Sequence, residues 1–229
     1  MLAGIHSADA ERLSMQSAFP MYLAMEREYR SLIKGARDMK KKRPAPPPGS
    51  KPPAMFNSLI GGLGEMVDTL TERLSGDLRK GVTVEAVRKV KDGFEVVVEG
   101  GMIKTDAVVM ATPAYAVAGL VGDFAPELAT MLGDIRYVST ATVSLAYRKA
   151  DVEEQHDFEG FGFLSPKYEG RRIAACAWVS TKLSYRAPDD GVLVRTFVGG
   201  TGQEELVDLD DETLITQSRE ELADLMGLT

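Results

Sequence analysis

Ten residues, Pro44 to Pro53, constrain the fold more than any other stretch of the chain. The run Pro44-Ala45-Pro46-Pro47-Pro48-Gly49-Ser50-Lys51-Pro52-Pro53 can be neither helix interior nor central strand, because each proline fixes φ and lacks an amide donor. It reads as a stiff, exposed linker, with protein recognition through the prolines as the weaker reading. On the N-terminal side, residues 20–40 read as one amphipathic helix. Pro20 suits a first helical turn, and Met21, Met25, Tyr29, Leu32 and Ile33 fall near helical spacing. Lys34, Arg37, Lys40, Lys41, Lys42 and Arg43 make its end basic, which complements the negative end of the helix dipole. A solvated helix end is the ordinary reading; contact with a membrane surface is the alternative.

After the prolines, Gly61-Gly62-Leu63-Gly64 leads into a second amphipathic helix carrying Met66, Val67, Leu70 and Leu74. Val82, Val84 and Val87 open a β-rich stretch. Asp92-Gly93 is a hairpin turn into Phe94–Val98. The apolar run Asp106–Ala111 predicts a buried strand, stopped at Thr112-Pro113. A helical patch over 114–132 is interrupted near Pro126. From Tyr137 onward four strands are predicted, at 140–147, 160–164, 173–179 and 192–198, joined by turns and antiparallel. A last helix runs from Asp211 to Met226 with Leu214, Ile215, Leu222 and Leu225 on its apolar face. The pattern is α+β, spread over parts of two units.

The 229 residues, 44% hydrophobic and 27% charged, suit a soluble globular chain with one large domain or two small ones. A net charge of −7 argues against nucleic acid, which needs a basic face. Cys176 is the only cysteine, and His6 and His156 lie far apart, so neither an internal disulfide nor a metal site is expected. No apolar run is long enough to span a bilayer and no leader pattern is present, which points to the cytoplasm. Both ends, Met1-Leu2-Ala3-Gly4-Ile5 and Gly227-Leu228-Thr229, read as cuts inside a larger protein, since natural domains begin and end in polar linker.

No nucleophile elbow, phosphate loop or metal cluster is present, and no catalytic side chain is singled out. Gly61-Gly62-Leu63-Gly64 has the wrong spacing for a dinucleotide fingerprint and follows no apolar strand. Such a chain either leaves its chemistry to a cofactor or is not an enzyme.

Four patterns, in one order and at matching separations, resemble the oxygen-dependent protoporphyrinogen and coproporphyrinogen oxidases. They are Gly4-Ile5-His6-Ser7-Ala8-Asp9 with Leu13-Ser14 and Phe19-Pro20; Gly61-Gly62-Leu63 with its helix; the hairpin through Val87 with Asp106–Pro113; and Gly160-Phe161-Gly162-Phe163-Leu164 with Ala175-Cys176-Ala177-Trp178 and Arg195-Thr196-Phe197-Val198-Gly199. The third is shared widely among flavin amine oxidases; the first and fourth are the specific ones. His6 stands where the family has another aromatic and Ala8 where it has glycine.

The resemblance implies a substrate domain of antiparallel or mixed sheet with helices, plus part of an FAD-binding α/β domain. Residues 1–53 would be the helical part of the substrate domain with the proline linker, 54–133 the partial FAD domain, and 134–229 the substrate-domain sheet and helix. Gly4, Ile5, Phe161, Gly162, Leu164, Ala177 and Phe197 would line the tetrapyrrole cavity, an apolar wall suited to a flat macrocycle. Val87 would meet FAD through its backbone, with Ala111, Thr112 and Pro113 in a turn close to the cofactor. The implied reaction is six-electron oxidation of a porphyrinogen, protoporphyrinogen IX or coproporphyrinogen III, with oxygen as acceptor. The family's glycine-rich βαβ unit, the segment closing over the flavin and the arginine that pairs a substrate propionate would all lie outside this chain. Localisation would be cytoplasmic, with peripheral contact to the inner face of the membrane as the variant. The rival readings are another flavin amine oxidase relative and a non-catalytic tetrapyrrole-binding module.

Overall fold

The computed structural model describes residues 8–9, 11–42 and 56–228. The proline run, Gly4, Ile5 and both chain ends lie outside them. In chain order the longer helices are α1 (Pro20–Tyr29), α2 (Leu32–Lys42), α3 (Gly64–Arg73), α4 (Ala114–Val121), α5 (Pro126–Gly133) and α6 (Asp211–Met226). The strands are β1 (Val84–Val90), β2 (Gly93–Val98), β3 (Gly101–Thr105), β4 (Thr140–Arg148), β5 (Gly162–Leu164), β6 (Ile173–Trp178) and β7 (Gly191–Gly199). The fold is α+β. All pairing is antiparallel, in one sheet ordered β1-β2-β3 and another ordered β4-β7-β6-β5. The chain divides into two compact units: Met1–Gly62 with Val138–Thr229, and Leu63–Tyr137.

The first unit is built on the four-stranded sheet. Its strands alternate in burial, as a half-covered sheet must: in β7, Val192, Val194, Thr196 and Val198 are buried while Arg195 is exposed. Register sets Phe163, Cys176, Thr196 and Val143 in one row across the strands, and this row faces the core formed with Leu214, Leu222 and Met226 of α6. Burying one such aliphatic side chain stabilises by roughly 1.5–3 kcal/mol. Two fully buried hydroxyls in the sheet-to-helix contact satisfy each other, Thr196 Oγ1 lying 2.9 Å from Ser218 Oγ. Glu221, 5% exposed, receives the Arg172 amide at 2.9 Å and lies 3.3 Å from the Arg171 guanidinium, so α6 is tied to the start of β6. Asp210 caps α6, its carboxylate accepting the Thr213 amide at 2.9 Å. The apolar face of α6 differs from the expected one: Leu214 and Leu222 are buried with Met226, but Ile215 and Leu225 are 42% and 39% exposed. The sheet covers less of the helix circumference than the sequence pattern allows for.

The single helix expected over 20–40 is two. Arg30 takes a left-handed conformation at φ 50, and Ser31 starts a new helix, its Oγ accepting the Lys34 amide at 3.3 Å. The two helices pack at Gly35, where a Cβ would stand 2.7 Å from Met25 Cγ. Asp38 joins them, accepting from the Tyr29 hydroxyl at 2.6 Å and pairing with Lys42 at 2.7 Å.

In the second unit the Asp92-Gly93 hairpin forms as expected, but a third strand, β3, follows β2. Pro126 begins α5 and separates it from α4. The buried strand expected at Asp106–Ala111 does not form. Among the described residues these have no ladder partners, and Val109 is 92% exposed. A strand needs a neighbour to accept its backbone hydrogen bonds, and the described residues offer none. Among the described residues no helix is long and apolar enough to cross a membrane.

Candidate functional site

Because the row Phe163–Cys176–Thr196–Val143 points into the core, the residues between them present the opposite face. That face carries two rows: Leu164, Ala175, Phe197 and Thr142, and beside it Gly162, Ala177, Arg195 and Ser144. It is about 14 Å wide, three inter-strand gaps of about 4.8 Å; glycine, alanine, serine and threonine fill most of its positions, with Leu164, Phe197 and Arg195 as the longer side chains. Leu164 is 37% exposed, and Ala146 and Leu193 extend the surface along the strands. Of the five described positions that the sequence assigns to a tetrapyrrole wall, Gly162, Leu164, Ala177 and Phe197 therefore share one surface. Phe161 sits apart, just before β5; its ring meets Phe56 edge-on at 4.9 Å between centroids, and the Lys182 ammonium lies over Phe56 at 5.0 Å.

Local geometry explains why these residue types stand here. Gly162 has φ +124, and a Cβ on it would collide with the Cys176 carbonyl and lie 2.8 Å from Ala177 Cα. The glycine is therefore required by the β5–β6 contact itself, whatever the face binds. Cys176, behind the face, is 2% exposed, and burial pushes its thiol up to about 12; at neutral pH it packs and does not react. Sequence reasoning overlooked Ser144 and Arg195. Arg195 projects from the middle of the face, with its Nε donating to Ser144 Oγ at 3.1 Å. The signal was a lone charge alternating with buried Val194 and Thr196 along an otherwise apolar strand.

The positions assigned to FAD lie in the second unit. The Val87 side chain is 3% exposed, while its main chain belongs to β1, an edge strand of the three-stranded sheet. Ala111, Thr112 and Pro113 are exposed; Pro113 precedes α4, which packs on β1, and its carbonyl accepts the Ala116 amide at 2.9 Å. The Ala114 amide donates to the Tyr137 hydroxyl at 2.9 Å, fixing the start of the helix. A separate open cleft of about 610 Å³ in the first unit is lined by Lys149, Glu153, His156, Asp189 and neighbours. It contains none of the positions assigned from sequence, and its mixed charges give it no match to a flat apolar ligand. Among the described residues no cluster of His, Cys, Asp or Glu could hold a metal ion.

Comparison with known proteins bears on the whole chain. Coproporphyrinogen III oxidase of Bacillus subtilis (strain 168) is 30% identical over 236 residues, which cover 100% of this chain and 48% of that protein. The coproporphyrinogen III oxidase of Staphylococcus aureus (strain NCTC 8325 / PS 47) is also 30% identical, covering 99% of this chain and 49% of the relative. A crystal structure assigned as a protoporphyrinogen oxidase from Exiguobacterium sp. 255-15 superposes with a TM-score of 0.80 at 27% identity, over 100% of this chain and 47% of the other. The chain thus spans about half the length of the curated relatives it matches. Residues 1–229 match the family described as flavin containing amine oxidoreductase, and it is to this family that the chain belongs.

Proposed function

We propose that the protein to which these residues contribute is a porphyrinogen oxidase, removing six electrons from protoporphyrinogen IX or coproporphyrinogen III with oxygen as the final acceptor. The observation that carries this reading is the shared face of Gly162, Leu164, Ala177 and Phe197 across β5, β6 and β7. A sheet face whose residues are mostly small, with Leu164 and Phe197 beside them, suits a flat, apolar macrocycle. The porphyrinogen oxidases among the relatives support the substrate class.

The residues present suit one flank of a flavin dinucleotide. Val87 keeps its side chain inside the second unit and offers main-chain groups on an edge strand, and Thr112 and Pro113 form an exposed turn before α4. They supply no phosphate cradle: among the described residues, no glycine-rich turn leads from a strand into a helix. When bound, FAD would accept hydride from the macrocycle in three rounds and return the electrons to oxygen, giving hydrogen peroxide. The sheet face would orient the macrocycle and keep water from its plane. Orienting the macrocycle needs no nucleophile from this face, and the proton lost with each hydride would pass to water at the macrocycle rim, in keeping with the sparse chemistry of this stretch. The test is turnover by the full-length protein: fluorescent porphyrin accumulating from a porphyrinogen, with peroxide released, is the expected result. Oxidation of an amine in its place would move the protein to another branch of the family; tight porphyrin binding without flavin or turnover would make it a carrier.

A further inference from the structure

We infer that Arg195 anchors a propionate carboxylate of the substrate and so sets the register of the macrocycle on the sheet; this inference rests on the porphyrinogen reading above. Arg195 stands at the centre of the open face, between Ala177 on β6 and Ser144 on β4. Leu193 and Phe197 flank it on its own strand, each about 6.7 Å away along the chain. Ser144 holds the Nε at 3.1 Å, which fixes the plane of the guanidinium and leaves the two terminal nitrogens for a forked contact with a carboxylate. Among the described residues no Asp or Glu forms an ion pair with it. The contrast with Arg148, at the end of β4, is direct: that guanidinium is already neutralised by Asp151 at 2.8 Å.

A cation in the middle of a small, apolar face is costly once a ligand covers it, unless the ligand brings the counter-charge. A porphyrinogen does so, because its apolar ring carries propionates at the rim, two in protoporphyrinogen and four in coproporphyrinogen. With the ring lying toward Leu164 and Phe197, a rim carboxylate reaching Arg195 would fix one of the several rotational settings that a flat disc could otherwise adopt. Arg195 therefore acts in binding and orientation; no proton or electron passes through it.

The test uses full-length protein loaded with FAD, with the free acid of coproporphyrinogen III and its tetramethyl ester as paired substrates. Arg195→Leu is expected to raise KM for the free acid about tenfold or more, the loss expected for one charge-assisted contact, with kcat within about twofold. Arg195→Lys should recover part of the loss, and the ester should be handled alike by wild type and both variants. An unchanged KM for the free acid in Arg195→Leu overturns the inference while leaving the porphyrinogen reading standing. An equal rise with the ester also overturns it, since the residue would then act by shape. A wild-type enzyme that oxidises neither coproporphyrinogen III nor protoporphyrinogen IX, assayed beside it, sinks the parent reading, and this one with it. Should Arg195→Leu fold poorly, Arg195→Gln makes the same comparison.

Discussion

Gly162 pairs with Ala177 across β5 and β6, with its Cα against the Cys176 carbonyl. Replacing Gly162 by alanine forces a Cβ into the Cys176 carbonyl at a φ of +124 that L residues rarely adopt. Backbone strain and overpacking add in the same direction, so Gly162→Ala should lose about 2 kcal/mol or more of stability. A denaturant melt checks this; a variant as stable as wild type would mean that β5 is not held against β6 as described. Cys176 gives a second readout of the same contact. Burial raises the thiol to about 12, so the nucleophilic thiolate is scarce at pH 8 and grows only as pH nears that value. The folded protein should resist a thiol-labelling reagent at pH 8 and take up one equivalent in denaturant, since the chain has one cysteine. Fast labelling of the native state would place the thiol outside the core.

At the scale of elements, β7 and α6 are joined by a buried hydroxyl pair set among apolar contacts, Thr196 with Ser218. Thr196→Val leaves Ser218 Oγ buried without that partner and should cost about 1–3 kcal/mol. Adding Ser218→Ala removes the orphan, so the double variant should be less destabilised than the sum of the singles. A double-mutant cycle by chemical denaturation measures the coupling; strict additivity would show that the pair does not interact. The same scale explains the failure at Asp106–Ala111. Its composition is that of a buried strand, yet strand formation is a property of two segments, and no partner for it is present among the described residues.

Over the whole molecule, the two units differ in how far each is self-contained. The first has a continuous core between sheet and α6. The second exposes much of its apolar surface: Leu63, Met66, Val67, Leu70 and Leu74 around α3 are each at least 50% exposed, and Val109 is 92% exposed. Surfaces of this kind mark places where further protein or ligand packs, in keeping with a chain that spans about half the length of its relatives. These 229 residues alone are therefore expected to purify colourless, because among the described residues no glycine-rich turn leads from a strand into a helix to hold the phosphates of the cofactor proposed to lie beside Val87 and Thr112. A flavin absorbance band retained after desalting would overturn that, and the full-length protein should show one.

Sequence alone determined what depends on local spacing. The hairpin at Asp92-Gly93, the break at Pro126, the four antiparallel strands after Tyr137 and the bounds of α6 follow from turn chemistry, missing amide donors and hydrophobic period, which act within a few residues. The motifs Gly160–Leu164 and Ala175–Trp178 suggested the candidate wall only through their resemblance to the porphyrinogen oxidases. Tertiary structure decided what depends on partners distant in the chain. Strand register put Gly162, Leu164, Ala177 and Phe197 on one face and left Phe161 with Phe56. It brought Arg195 beside Ser144, 51 residues away in sequence. It also turned Ile215 and Leu225 outward, because burial is settled by the surface that a helix meets and not by the stripe that it carries.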